Sequence, residues 1–198
     1  LTKEIAEEKG ISVDEEGFRA CVDESRKRSR EDRLAKGGSS WDEDAMSNLD
    51  LPKTKFTGYD YSQLEINAKV LAVFKDGAEV SELNEGDDAV VILDETPFYA
   101  ESGGQVGDTG VITIGESRFA VTDTKKTAKG QYLHFGTVEM GGLGKGDSVT
   151  ASVNVEKRYA IMRNHTAAHL LQAALRKVLG DHVHQAGSYA VSYTHLRA

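Results

Sequence analysis

The chain has 198 residues, 39% of them hydrophobic and 28% charged, with a formal net charge of −8, a balance that fits an ordinary globular protein with room for one large or two small domains. No apolar run approaches the ~20 residues of a membrane span, so no membrane partner is expected, and the single Cys21 excludes a disulfide framework within the chain and fits a reducing, cytoplasmic compartment. The acidic balance argues against general electrostatic attraction to nucleic acid, because affinity for phosphate comes from clustered Lys and Arg.

The amino terminus, Leu1-Thr2-Lys3-Glu4, has neither an initiator Met nor an apolar signal core, and the sequence reads as a piece of something longer. Residues 1 to about 36 read as helix, stopped at Gly10 and restarted after Ser12-Val13-Asp14-Glu15, where Ser12 and Glu15 have the spacing of a capping box. Phe18, Cys21 and Val22 make an apolar stripe too sparse for an independent core. Arg26, Lys27, Arg28, Arg30, Arg33 and Lys36 follow as a basic run, which reads either as a solvated face laced with ion pairs or as an RNA-facing surface. Gly37-Gly38-Ser39-Ser40 and the acidic Trp41-Asp42-Glu43-Asp44 mark a boundary, and a new domain is expected after Leu51-Pro52.

From Phe56 the period changes. Ile66, Val70, Ala72 and Phe74 suggest a strand, and Ala89-Val90-Val91-Ile92-Leu93 a buried one, with Asn84-Glu85-Gly86-Asp87 as a turn. Val111 to Ile114, Arg118 to Val121 and Tyr132 to Phe135 continue the series, with turns at Gly115-Glu116 and Lys129-Gly130. Val149, Ala151, Val153 and Val155 alternate with polar residues as a half-buried strand. Short strands joined by Gly turns predict a small antiparallel β-barrel. A helix then runs from an Asn154 N-cap to a Gly180 C-cap, which makes the fold class α+β: helical leader, barrel, helix-containing core.

That last helix carries the clearest chemical pattern. His165 and His169 lie on one face, flanked by Arg158, Met162 and Gln172, while Ala167, Leu171, Ala174, Leu175 and Val178 are expected to form a buried stripe. Two imidazoles four residues apart can bind one Zn²⁺, as in HExxH proteases, but Thr166 stands where the general-base Glu would be, which disfavours that chemistry. Two histidines on a half-exposed helix are the plain alternative. Upstream, Asp94 to Gly110 is a glycine-rich connection suited to close approach of backbone to a ligand, or to an ordinary barrel loop. Its Gly103-Gly104-Gln105 matches the GGQ tripeptide of peptide-release factors, but the residues around it do not.

Taken together, Leu93-Asp94-Glu95-Thr96-Pro97-Phe98-Tyr99-Ala100-Glu101-Ser102-Gly103-Gly104-Gln105-Val106-Gly107-Asp108 and Arg163-Asn164-His165-Thr166-Ala167-Ala168-His169-Leu170-Leu171 closely resemble the editing domain of the alanyl-tRNA synthetases. The resemblance continues through Val178 to Ser188, includes Phe56-Thr57-Gly58-Tyr59-Asp60 as the entry to the barrel, and extends to the leader as the end of a tRNA-recognition domain. It implies residues 1–50 as the end of that domain with a linker, 51–155 as a barrel subdomain and 156–188 as the start of a zinc-binding editing core. Residues 189–198 no longer look like the family and suggest a chimeric or truncated tail.

The resemblance further implies a ligase that attaches alanine to tRNA(Ala) using ATP and Mg²⁺, through an aminoacylation domain outside this sequence, and an editing region that hydrolyses seryl and glycyl esters of that tRNA. A second sieve is needed where one small group separates the substrates. By resemblance, His165 and His169 are zinc ligands, completed in the family by a Cys-x-x-x-His further downstream, and Gln185 with Gly103, Gly104 and Gln105 lines the pocket for the charged 3′ end. His182 and His184 are possible local ligands, and Cys21 is not. Ala168 replaces a hydroxyl residue of the family's HTxTH, which leaves any hydroxyl role to Thr166. The basic run at Arg26, Lys27, Arg28, Arg30 and Arg33 would face RNA; DNA is not expected as a partner. The leader favours a synthetase piece over a free-standing trans-editing deacylase; a non-catalytic tRNA-binding module and a metal-dependent hydrolase of another substrate are the other readings.

Overall fold

The computed structural model describes residues 10, 14–22, 24, 50–185 and 187–192, and the chain divides into two units, Leu1–Trp41 and Asp42–Ala198. In the first unit, residues 15–22 form a short helix, α1. Its N-cap is Asp14, whose Oδ1 accepts from the Gly17 amide at 2.8 Å while its carbonyl accepts from Phe18 N at 3.1 Å. The expected capping box places the cap at Ser12, which lies outside the described residues; Glu15 is inside the helix, where it pairs with Arg19 at 3.6 Å. The Asp14 carboxylate takes the Gly17 amide, one of the orphan donors of the first turn. Phe18 is 67% exposed, so the sparse stripe buries little. The basic run from Arg26 to Lys36 lies outside the described residues.

Among the described residues the second unit holds eleven strands and one long helix: β1 (Lys55–Phe56), β2 (Glu65–Lys75), β3 (Ala78–Val80), β4 (Glu82–Asn84), β5 (Asp88–Leu93), β6 (Glu95–Thr96), β7 (Gly110–Ile114), β8 (Ser117–Lys126), β9 (Tyr132–Met140), β10 (Gly142–Gly144), β11 (Ser148–Val153) and α2 (Val155–Leu179). A seven-stranded sheet runs β11-β7-β8-β9-β5-β2-β3, and β11 also pairs with β2. Every strand of this sheet but β3 therefore joins a closed antiparallel ring, as the sequence predicts. Closure leaves no long unpaired edge.

The interior is filled by residues that cross-strand register puts on one face. Ile112 lies opposite both Phe119 and Ala151, and these join Val91, Val121, Val138 and Phe98 in one cluster. Each fully buried side chain of this size stabilises the fold by about 1.5–3 kcal/mol. The expected strand through Val70, Ala72 and Phe74 is present, but an irregularity between Val70 and Ala72 changes its parity. Ala68 and Val70 point inward before it and Val73 after it, so Ala72 and Phe74 are buried on the opposite face. One extra residue inverts the alternation, and periodicity read at fixed spacing does not register it. At the end of the barrel where β5 begins, β4 and β10 pair Leu83 with Leu143 over the core. At the end where β5 finishes, β1 and β6 run parallel, and there the loop from Pro97 to Thr109 meets α2.

Helix α2 starts and stops where the sequence places it. Asn154 Oδ1 accepts from Lys157 N at 3.0 Å, and Gly180, at φ 110°, donates its amide to the Arg176 carbonyl. Its packing differs from expectation. The stripe of Ala167, Leu171, Ala174, Leu175 and Val178 is not buried: Val178 is 79% exposed and only Leu175 is partly covered. Among the described residues the helix buries only Arg158 and Ile161, in its first turns, because β11 delivers it at the barrel's rim.

Candidate functional site

The loop between β6 and β7 is fixed from both sides. Phe98 enters the core, and Thr96 Oγ1 accepts from the Phe98 amide at 3.2 Å while contacting His134 Nε2 at 2.7 Å. His134 is fully buried, its Nδ1 is 2.8 Å from the Val91 carbonyl, and burial pushes its pKa down to about 4. A neutral imidazole thus ties the loop's first residue to the barrel wall. At the loop's far end, Asp108 accepts the Tyr99 amide at 2.7 Å and returns its own amide to the Tyr99 carbonyl at 2.9 Å.

Asp108 also receives Arg158, the first inward-facing residue of α2. The guanidinium Nε lies 2.9 and 2.8 Å from the two carboxylate oxygens and Nη2 donates to Oδ2. Nη1 donates to the Gly58 carbonyl at 2.9 Å and Nη2 to the Pro97 carbonyl at 2.8 Å. Both side chains are buried. One planar fork thereby joins the turn before β2, the glycine-rich loop and the helix. Gly58 is required at that contact, since a Cβ there would sit 2.1 Å from the Pro97 carbonyl oxygen.

Within the loop, Gly103 and Gly104 have φ of 60° and 75°, and the Ser102 and Gln105 backbones exchange hydrogen bonds across them at 3.2 and 3.0 Å. Two consecutive positive φ values define the tight turn that glycine permits. The turn aims Gln105 at the helix: its buried side chain places Oε1 2.8 Å from His165 Nδ1. An amide oxygen only accepts, so Nδ1 of His165 carries a proton toward Gln105. The His165 and His169 rings stack at 5.0 Å between centroids, 18° from parallel.

A cavity of about 280 Å³ is lined by Gly58, Tyr59, Tyr61, Tyr99, Gln105, Arg158, Met162, His165, Thr166 and His169. It unites His165, His169, Thr166 and Gln105 of the residues expected from the sequence. Gly103 and Gly104 shape the turn but do not line the cavity. Gln185 does not line it either; its Nε2 donates to Ser188 Oγ at 2.8 Å on the exposed side. The chain after the helix runs back along it, with Gln172 Nε2 on the Val183 carbonyl and Asn164 Nδ2 on the Val191 carbonyl. Ala190 exchanges backbone hydrogen bonds with Gly104 and Val106. His182 and His184 are exposed and outside the cavity. Among the described residues no three of His, Cys, Asp and Glu come together to hold a metal.

Three tyrosines of the wall were not singled out from the sequence. Asp60 organises the turn that carries two of them, accepting from Ser62 N, Ser62 Oγ and Gln63 Nε2, and the Ser62 bonds hold its carboxyl below the ordinary range. Tyr59 and Tyr61 flank it, largely exposed. Burial, reinforced by Tyr59, raises the Tyr99 phenol above its usual pKa, so it stays neutral. A cluster of tyrosines beside Gly58 was the available signal.

The family model described as tRNA synthetases class II (A) matches residues 1–157. The chain belongs to that family. Among its relatives are the alanine–tRNA ligases of Acetivibrio thermocellus, 53% identical over 189 residues, and of Thermoanaerobacter pseudethanolicus, 49% identical over 188 residues, each match covering 95% of this chain and 21% of the relative. That of Chloroflexus aurantiacus is 43% identical over 204 residues, covering 100% of this chain and 22% of the relative. The chain thus spans about a fifth of the length of the curated relatives it matches. The resemblance read from the sequence is borne out at the level of a class II (A) synthetase whose relatives are ligases. Among the described residues, no helix of this synthetase piece is long and apolar enough to cross a membrane.

Proposed function

We propose that the piece belongs to a cytoplasmic alanine–tRNA ligase and forms part of the region that hydrolyses seryl- and glycyl-tRNA(Ala). The observation that carries this reading is the convergence of His165, Thr166, His169 and Gln105 on one cavity beside open tyrosine rings. In the reaction, water adds to the ester carbonyl carbon, the bond to the 3′-terminal ribose oxygen breaks, the ribose oxygen takes one of the water's protons, the other passes to solvent, and the amino acid leaves as its carboxylate. The Thr166 hydroxyl, one residue from His165, is the group able to pair with the hydroxyl of a seryl ester and not with the methyl of alanine.

Zinc is part of the proposal. The donor set fits two positions of a tetrahedral site: neutral imidazoles of His165 and His169, the first held in one tautomer by Gln105. No third ligand joins them among the described residues, so the others would come from the rest of the longer protein. When bound, zinc supplies a Lewis acid that lowers the pKa of a coordinated water or orients a substrate oxygen. ATP and Mg²⁺ belong to the relatives' aminoacylation activity and are not assigned residues here. Deacylation of seryl-tRNA(Ala) is the test: hydrolysis by the full-length protein that disappears with His165→Ala and His169→Ala supports the reading. Hydrolysis that persists in both variants would refute it and leave the non-catalytic tRNA-binding module.

A further inference from the structure

Beside the histidine cavity, and sharing Tyr59 with it as a wall, lies a second cleft of about 470 Å³. Its walls are Lys53, Lys55, Phe56, Tyr59, Lys126 and Tyr132, so three cations and three aromatic rings meet on a chain whose net charge is −8. The rings are pre-arranged. Phe56 and Tyr132 stack with centroids 5.5 Å apart and 4° from parallel, and Phe56 and Tyr59 meet in a T-shaped contact with centroids 4.9 Å apart. Tyr59 is 76% exposed, which leaves its faces open to a flat ligand. Lys126 lies 5.0 Å from the Tyr132 ring centre, and the Lys53 stem passes over Gly130, whose missing side chain makes the space. Lys55 is answered by Glu95 at 2.9 Å; among the described residues Lys53 and Lys126 have no carboxylate partner.

Exposed lysines beside open aromatic rings are the combination by which proteins hold single-stranded nucleic acid, charge on the phosphates and rings on the bases. The volume lies within the ~300–1,000 Å³ usual for a small-ligand site. We propose that this cleft seats the single-stranded 3′ segment of the RNA substrate, with phosphates on Lys53 and Lys126 and one base stacked on Tyr59, and so feeds the terminal ester into the histidine cavity. This rests on the reading of the substrate as an RNA ester, and it adds a defined track for the RNA that is separate from the ester chemistry.

Fluorescence anisotropy with a short, non-aminoacylated single-stranded RNA and the 198-residue chain tests it, since no ester is involved. Affinity falls with salt, and the double variant Lys53→Gln with Lys126→Gln binds at least about tenfold more weakly, its log–log salt slope smaller by roughly 1.4, about 0.7 for each charge removed. Tyr59→Ala weakens binding about tenfold with the slope unchanged. Both lysines are exposed, and thermal unfolding verifies that the variants fold. Unchanged affinity and slope in the lysine variant overturn the proposal, as does equal affinity for duplex RNA, or an equal loss on Lys145→Gln at the opposite end of the barrel. Deacylation with unchanged lysine-variant binding sinks the cleft alone; lysine-dependent RNA binding without deacylation sinks the hydrolytic reading alone.

Discussion

Between Val155 and His165 the long helix carries its two buried residues, Arg158 and Ile161, whereas from Thr166 to Leu179 none is buried, and Leu170, Val178 and Leu179 stand 67%, 79% and 57% exposed. The first part is held by burial against the barrel; among the described residues the second is supported by its own backbone ladder, its Gly180 cap and the Gln172 bond to the Val183 carbonyl. His165 sits at the junction, fixed by Gln105; His169 is one turn further and is placed by helix continuity. One half of the candidate site is therefore built into the barrel, and the other is carried on a projecting rod.

The sharpest way to break that difference is to cut the fork. Asp108→Ala leaves Arg158 buried without its partner and is expected to cost about 3–5 kcal/mol, read by denaturant unfolding. Replacing both by apolar residues, Asp108→Leu with Arg158→Met, should recover much of that loss; no recovery would show that the carbonyl contacts at Gly58 and Pro97 matter more than the charge pair. The loop anchor gives the next largest effect. His134 titrates near 6.5 when unfolded and at about 4 in the fold, so the fold excludes the proton that the unfolded chain accepts. Its stability contribution is intact above pH 6.5 and is lost as pH falls from there to about 4, by roughly 3 kcal/mol in all. His134→Gln should flatten that part of the stability profile measured between pH 7 and 4.

Smaller effects separate positioning from packing. Gln105→Ala frees the His165 tautomer and should lower deacylation by roughly 10–100-fold while thermal stability changes little; equal losses of both would make Gln105 a packing residue. Val178→Ala, on the projecting half, should change the stability of this chain by less than about 0.5 kcal/mol. A larger loss on unfolding of the 198-residue chain would show that the second half of α2 is packed after all.

The sequence made the local features readable because each depends on near neighbours. The strand at Val149 to Val153, the turns at Gly86 and Gly115 and both caps of α2 follow from residue types a few positions apart. The histidine face of the helix follows from its period. What could not be read were features made by distant residues. Nothing near Asp108 announces Arg158, and nothing in Phe56 to Asp60 shows that Tyr59 would stand between two cavities. The stripe on α2 misled because periodicity states which residues share a face, not whether anything covers it.

The pairing of β2 with β11, with Glu65 opposite Ser152, has a consequence in time. The ring cannot close until nearly all of its chain is available, since the first and last of its strands seal it. Non-local closure of this kind slows folding relative to helical proteins of the same size. α2 begins at Val155, two residues after the sealing strand ends, so the helix is set on the rim by the same step that completes the barrel. During synthesis the histidines would emerge immediately behind the strand that creates their platform, and the site forms last.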